Sequence, residues 1–99
     1  MIYSHIAGTG RCLPERVLTN AELEKMVDTT DEWIRSRTGI ERRHIGADDE
    51  ATSDLAERAA RQAMVAASVV AKDIDLIIVG TTTPDLIFPN VGTLVQERL

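Results

Sequence analysis

Thr29, Trp33 and Arg37 follow one another at i, i+4 and i+8, the interval that stacks side chains on one face of a helix. An indole and a guanidinium placed side by side can do binding chemistry. The indole offers a flat face to a base and the guanidinium a planar fork to a phosphate, while the hydroxyls of Thr29 and Thr38 add hydrogen bonds. The same spacing fits another arrangement, in which Trp33, the single tryptophan, anchors its helix in a core and Arg37 lies in solvent. Spacing alone leaves both open.

The stretch Asp28 to Ile45 carries the punctuation that would position those side chains. Thr29 and Glu32 have capping-box spacing, and Asp31 and Glu32 stand at the positive end of the helix dipole. Gly39 suits a left-handed closing residue, with Arg35 and Arg37 at the negative end, so a helix from about Thr30 to Thr38 is expected. Ahead of it, Thr19 or Asn20 caps a short helix running through Met26, with Leu23, Met26 and Val27 on its inner side. Behind it, Ile40 to Ile45 reads as a short extended piece and Gly46 to Ala51 as an acidic loop.

The flanking segments describe an α/β frame. Ile2 to Cys12 mixes β-formers with Gly8 and Gly10 and predicts a strand running into a loop at Leu13-Pro14. A dinucleotide fingerprint would need a third glycine and an immediate helix, and Arg11 to Pro14 follow instead. Cys12, with nothing nearby to depress its pKa, reads as a small buried hydrophobe. Thr52 and Ser53 cap the longest helix, whose apolar face from Leu55 to Ala67 is nearly all alanine and allows another backbone to approach closely. Ile74 to Thr82 has no polar alternation and predicts a strand covered on both faces, as in a parallel sheet. Ligands of such sheets bind beyond the strand ends, so Thr81, Thr82, Thr83 and the loop carrying Phe88 to Pro89 fall at the functional edge. Asn90 caps a last helix with Val91, Leu94, Val95 and Leu99 on one face. The 99 residues read as one unit without an internal boundary.

Bulk properties narrow the function classes. With 16 acidic against 11 basic side chains the net charge is -5, which argues against nucleic acid as the main partner. No apolar run is long enough for a membrane helix and no export signal opens the chain, so a cytoplasmic location is the default. One cysteine excludes an internal disulfide, and His5 and His44 have no partners at metal-ligand spacing. Against the acidic background, Arg35, Arg37, Arg42 and Arg43 form a local positive island that suits a small anionic ligand, or else a solvated face paired with Asp31, Glu32 and Glu41.

The pattern D-T-x-D-E-W-I-x-x-R-T-G-I-x-x-R, formed by Asp28, Thr29, Asp31, Glu32, Trp33, Ile34, Arg37, Thr38, Gly39, Ile40 and Arg43, closely resembles the N-terminal signature of β-ketoacyl-acyl carrier protein synthase III. That family belongs to the thiolase superfamily. The resemblance extends to Ile6-Pro14, Thr19-Val27, Asp73-Thr83 and Phe88-Pro89, nearly the whole chain. It implies the N-terminal portion of a layered α-β-α-β-α fold and an acyltransferase that condenses an acyl-coenzyme A primer with malonyl-acyl carrier protein, with decarboxylation, to initiate fatty acid synthesis. The family is dimeric and takes coenzyme A thioester as substrate, with no further cofactor. By the resemblance, Trp33 stacks on the adenine, Arg37 meets the phosphates, Thr29 and Thr38 belong to the same pocket, and Phe88 closes the acyl-primer pocket from across the dimer. The family's nucleophilic cysteine, histidine and asparagine match nothing in this chain, which is therefore expected to be inactive alone. Where the family usually ends its long helix with Ala-Gly, this chain has Ala67-Ser68. The alternatives are a stand-alone, non-catalytic coenzyme A binding or interaction module, and a related enzyme of secondary metabolism.

Overall fold

The computed structural model describes residues 1–99, which cluster into two compact units: Leu13–Asp49 on the one hand, Met1–Cys12 with Glu50–Leu99 on the other. The 13–49 unit runs β1 (Arg16–Thr19), α1 (Asn20–Leu23), α2 (Asp31–Thr38) and β2 (Arg42–Ile45). β1 and β2 pair antiparallel, with Arg16 opposite Ile45 and Thr19 opposite Arg42. Pro14, Leu18 and Ile34 are its buried apolar side chains.

Two local signals act as expected there. Gly39 closes α2 with φ 72°, a conformation that costs a residue without Cβ nothing, and Ile40 to Ile45 supplies β2. Three expectations need correction. α2 is capped by Thr30, whose hydroxyl accepts the Trp33 N–H at 3.1 Å, so Thr29 lies one residue outside the cap position and off the helical stripe. The capping box sits earlier, at Thr19 and Glu22, where Thr19 accepts the Glu22 N–H and Glu22 accepts the Thr19 N–H at 2.8 Å. α1 also ends at Leu23, and Met26 and Val27 are exposed, because the chain turns there toward α2.

The other unit is built on α3 (Thr52–Ala67) and α4 (Val91–Arg98), which pack together over buried Val91 and Val95. The alanine face of α3 does receive a backbone. A Cβ built on Gly8 would meet the Ala63 carbonyl oxygen at 2.5 Å and the Ala67 nitrogen at 2.7 Å, and one on Gly10 would collide with the Ala59 carbonyl. Gly-Thr-Gly is thus a close-approach element against α3, not a phosphate loop. α4 begins at Asn90, whose side chain accepts the Thr93 N–H at 2.9 Å, as expected. Ser68 closes α3 with φ 56°, taking the left-handed position that glycine usually fills.

Neither apolar segment predicted as a strand forms a ladder. Ile2 to Cys12 and Ile74 to Thr82 have no β-pairing, and a single 3-10 turn, Ala71–Asp73, precedes the second. A strand is defined by its neighbours, and no other segment of this chain lies in register to supply the hydrogen bonds. Two-sided cover is absent as well. Leu76 and Ile78 are exposed, at 74% and 85%, while Ile77 and Val79 are half-buried beside Gly92 of α4, so one face is covered and the other open.

Candidate binding site around Trp33 and Arg37

α2 presents Trp33 and Arg37 outward. Ile34 is its one buried residue, and Trp33 next to it is 56% exposed. The Arg37 guanidinium carbon lies 5.6 Å from the Trp33 ring centroid, within cation-π range. Trp33 is therefore no core anchor of this unit. It lines an open cavity of about 200 Å³ together with Asp28, Thr29 and Thr30, which keeps Thr29 at the site although it is off the helix. Thr38 is differently engaged: its hydroxyl donates to the Ile34 carbonyl at 2.7 Å and accepts the Ile40 N–H at 3.0 Å, closing the helix end.

The positive island divides into structural and available charges. Arg35 is shared between Asp31 at 3.7 Å and Glu41 at 3.5 Å. Arg43 reaches the Leu18 carbonyl at 3.4 Å and the Asn20 side-chain oxygen at 2.8 Å. Arg42 is exposed, and with Arg37 it remains for an anion.

What holds α2 in place is Asn20, which the sequence marks only as a candidate helix cap. This residue is 1% exposed. Its amide nitrogen donates to Asp31 at 2.8 Å and to the Ile40 carbonyl at 2.7 Å, its oxygen accepts Arg43, and its backbone N–H donates to the Glu41 carbonyl at 3.1 Å. Both ends of α2 and the entry to β2 are thereby tied to one side chain. Every polar atom of that side chain has a partner, the condition under which a buried polar group rigidifies a fold. The only cue in the sequence was Asn at the start of a helix, which says nothing of partners twenty residues away. Glu24 adds a further tie by accepting the Asp31 N–H.

Residues with nucleophilic or acid-base potential are scattered. His5 is exposed, while His44 is half-buried with Nδ1 on the Pro14 carbonyl oxygen at 2.7 Å. Cys12 is half-buried on a segment beside α3, where Arg58 lies close to its thiol. Glu50 holds the Arg58 guanidinium at 2.7 Å and raises its pKa further above the ordinary value. No three acidic, cysteine or histidine side chains converge as a metal site would require, and no helix is long and apolar enough to cross a membrane. Phe88, on the loop before α4, is 87% exposed, so within this chain it is not a core plug.

Solved structures share this arrangement. The chain superposes on 3-oxoacyl-[acyl-carrier-protein] synthase III from Aquifex aeolicus with a TM-score of 0.83 at 47% identity, covering 94% of this chain and 30% of that one. With the priming β-ketosynthase of the R1128 polyketide pathway the TM-score is 0.82 at 33% identity, over 94% and 28%. Together they define the class by fold: the chain is an α/β portion matching about 30% of thiolase-like enzymes. Within that class the chain is homologous to β-ketoacyl-[acyl-carrier-protein] synthase III. It is 67% identical over 98 residues to the enzyme of that name from Xanthomonas campestris, and 62% identical over 99 residues to that of Thioalkalivibrio sulfidiphilus. The chain spans about 30% of the length of these relatives. No family profile matches it.

Proposed function

We propose that these 99 residues are the coenzyme A binding portion of a β-ketoacyl-acyl carrier protein synthase III, and that the whole protein, a homodimer, condenses an acyl-coenzyme A primer with malonyl-acyl carrier protein. The observation that carries this reading is the exposed Trp33 with Arg37 against its ring on a helix held at both ends by Asn20. An exposed indole face stacks an adenine, and a fixed guanidinium and the exposed Arg42 meet phosphates. Thr29 lines the adjoining cavity, and Thr38 contributes its remaining lone pair and the helix end it closes. Phe88, exposed on its loop, is the acyl-pocket wall supplied to the partner subunit. Coenzyme A enters as thioester substrate, so no separate cofactor is assigned. Without a cysteine and a histidine brought together, these residues alone do not perform the condensation.

The test is kinetic and is made in the full-length protein. Trp33→Ala is expected to weaken acyl-coenzyme A binding by about 1–3 kcal/mol, the scale of one base-aromatic stack. Arg37→Ala should act in the same direction through a lost charge-assisted contact. Both raise KM for acyl-coenzyme A far more than KM for malonyl-acyl carrier protein, which brings no adenine. Equal losses toward the two substrates, or acylation of Cys12 in the isolated chain seen by mass spectrometry, would overturn the assignment.

A further inference from the structure

The first turn of α3 lacks an ordinary cap. Ala51 stands at the N-cap position with no side-chain acceptor to offer, although the first N–H groups of a helix need partners. Asp54 takes one, accepting the Ala51 N–H at 2.8 Å. Another is taken from far along the chain: Asp85 accepts the Ser53 N–H at 2.8 Å and the Ser53 hydroxyl at 2.5 Å. Ser53 is completely buried, so its hydroxyl has no water to fall back on. One turn position earlier, the Thr52 hydroxyl donates to the Thr83 carbonyl at 2.5 Å. The start of α3 thus grips the chain on both sides of Pro84.

Immediately past that grip the side chains are unheld. Leu86, Ile87 and Phe88 are 56%, 95% and 87% exposed, and the next fixed point is Asn90, capping α4. Three apolar side chains therefore project from a short span anchored at its two stems. The Asp85 carboxyl is held below the ordinary aspartate range, chiefly by the Ser53 hydroxyl and further by the Ser53 N–H, so the grip is charge-assisted at neutral pH.

We propose that Ser53 and Asp85 form a latch that fixes the Thr83 to Pro89 loop to α3 and so sets where Phe88 stands against the acyl primer. Asp85 is on this view a positioning residue for primer selectivity. The selectivity half of the proposal rests on the assignment of Phe88 as a pocket wall; the latch itself does not.

Four variants of the full-length protein test it: Ser53→Ala, Asp85→Asn, the double variant, and Phe88→Ala. Two readouts are taken, amide hydrogen exchange at Leu86 to Phe88 and the ratio of kcat/KM for a short straight acyl-coenzyme A against a longer or branched one. Each latch variant is expected to speed exchange of the loop by about tenfold, the equivalent of one lost charge-assisted hydrogen bond. It should also shift the selectivity ratio in the direction that Phe88→Ala shifts it. The double variant should go no further than the larger single one, because both act through one contact. Exchange unchanged in the latch variants overturns the latch. Faster exchange with selectivity unchanged, while Phe88→Ala alters it, overturns the positioning role and leaves the pocket assignment standing. A silent Phe88→Ala overturns the pocket assignment instead, and with it the selectivity claim. If Asp85→Asn fails to fold, Ser53→Ala, which leaves the carboxylate and the residue 53 N–H in place, carries the same exchange test.

Discussion

Asn20 and Ser53 are the two fully buried polar side chains, one in each compact unit, and both sit at the start of a helix. Their employment differs. Asn20 spends every polar atom of its side chain within its own unit, on Asp31, Ile40 and Arg43, and closes a small hydrogen-bonded frame around α2. Ser53 gives both its donors to one carboxylate, which hands the support on to a loop whose apolar side chains face outward. A buried polar group can thus either complete a rigid platform or tether a surface meant for something else. The outward-facing Trp33 stands on the first kind, and Phe88 on the second.

That contrast makes its largest prediction for stability. Asn20→Ala strands the Ile40 carbonyl, Asp31 and Arg43 at once and is expected to cost about 3 kcal/mol in the full-length protein, read by chemical denaturation. Ser53→Ala removes one hydroxyl and leaves Asp85 its bond from the Ser53 N–H, so about 1 kcal/mol is expected. Equal losses would break the comparison. Asn20→Ala should also raise KM for all acyl-coenzyme A substrates alike, since α2 loses the ties at both its ends, whereas Ser53→Ala should act only through the acyl chain, changing the ratio between primers.

A smaller effect separates two adjacent threonines. Thr30→Ala takes away the hydroxyl that accepts the Trp33 N–H and should destabilise by about 1 kcal/mol, the usual cost of an N-cap. Thr29→Ala removes no cap and should be nearly silent in unfolding, while altering the cavity beside Trp33. Thermal unfolding and coenzyme A binding measured on both variants decide the matter, and a larger stability loss at Thr29 would restore the capping box expected from T-x-x-E spacing.

How much was legible in the sequence follows the range of the interactions. Gly39, the helix from about Thr30 to Thr38, Asn90 as a cap and the close-approach alanines of α3 are decided within a few residues, and all were readable. The Thr29 cap was misplaced by one position because Thr29-Thr30 offers two hydroxyls, and spacing to Glu32 favoured the one the backbone does not use. Leu76 to Val79 failed for another reason. A strand requires partners, and the same apolar run that reads as doubly covered is here covered only by α4 around Gly92. For the site, residue types pointed to Trp33 and Arg37 side by side, as the structure has them. The Asn20 hub and the Ser53 to Asp85 contact were invisible, because they join residues 20 and 32 positions apart with no local pattern.

The finest test sets two carboxylates against each other. Glu22 and Asp85 each accept a backbone N–H and a hydroxyl from a single residue, Thr19 and Ser53 respectively, and both are held below their ordinary pKa. The causes rank in opposite order. For Glu22 the Thr19 backbone N–H contributes most, and for Asp85 the Ser53 hydroxyl does. A carboxyl whose pKa is lowered by folding favours the folded state fully above its unfolded value, about 4.3 for Glu and 3.9 for Asp, and that contribution fades as pH falls through the unfolded value toward the lower folded one. Acid titration of the two carboxyls by NMR should therefore show both midpoints below those ordinary values. Thr19→Val, which keeps the N–H that is the larger cause, should move Glu22 upward only in part, whereas Ser53→Ala should move Asp85 upward by removing its largest cause, each leaving the other carboxyl unmoved. Large, equal shifts in both would mean that the hydroxyl dominates in the local cap as it does in the long-range contact, and the two regions would then differ in connectivity alone.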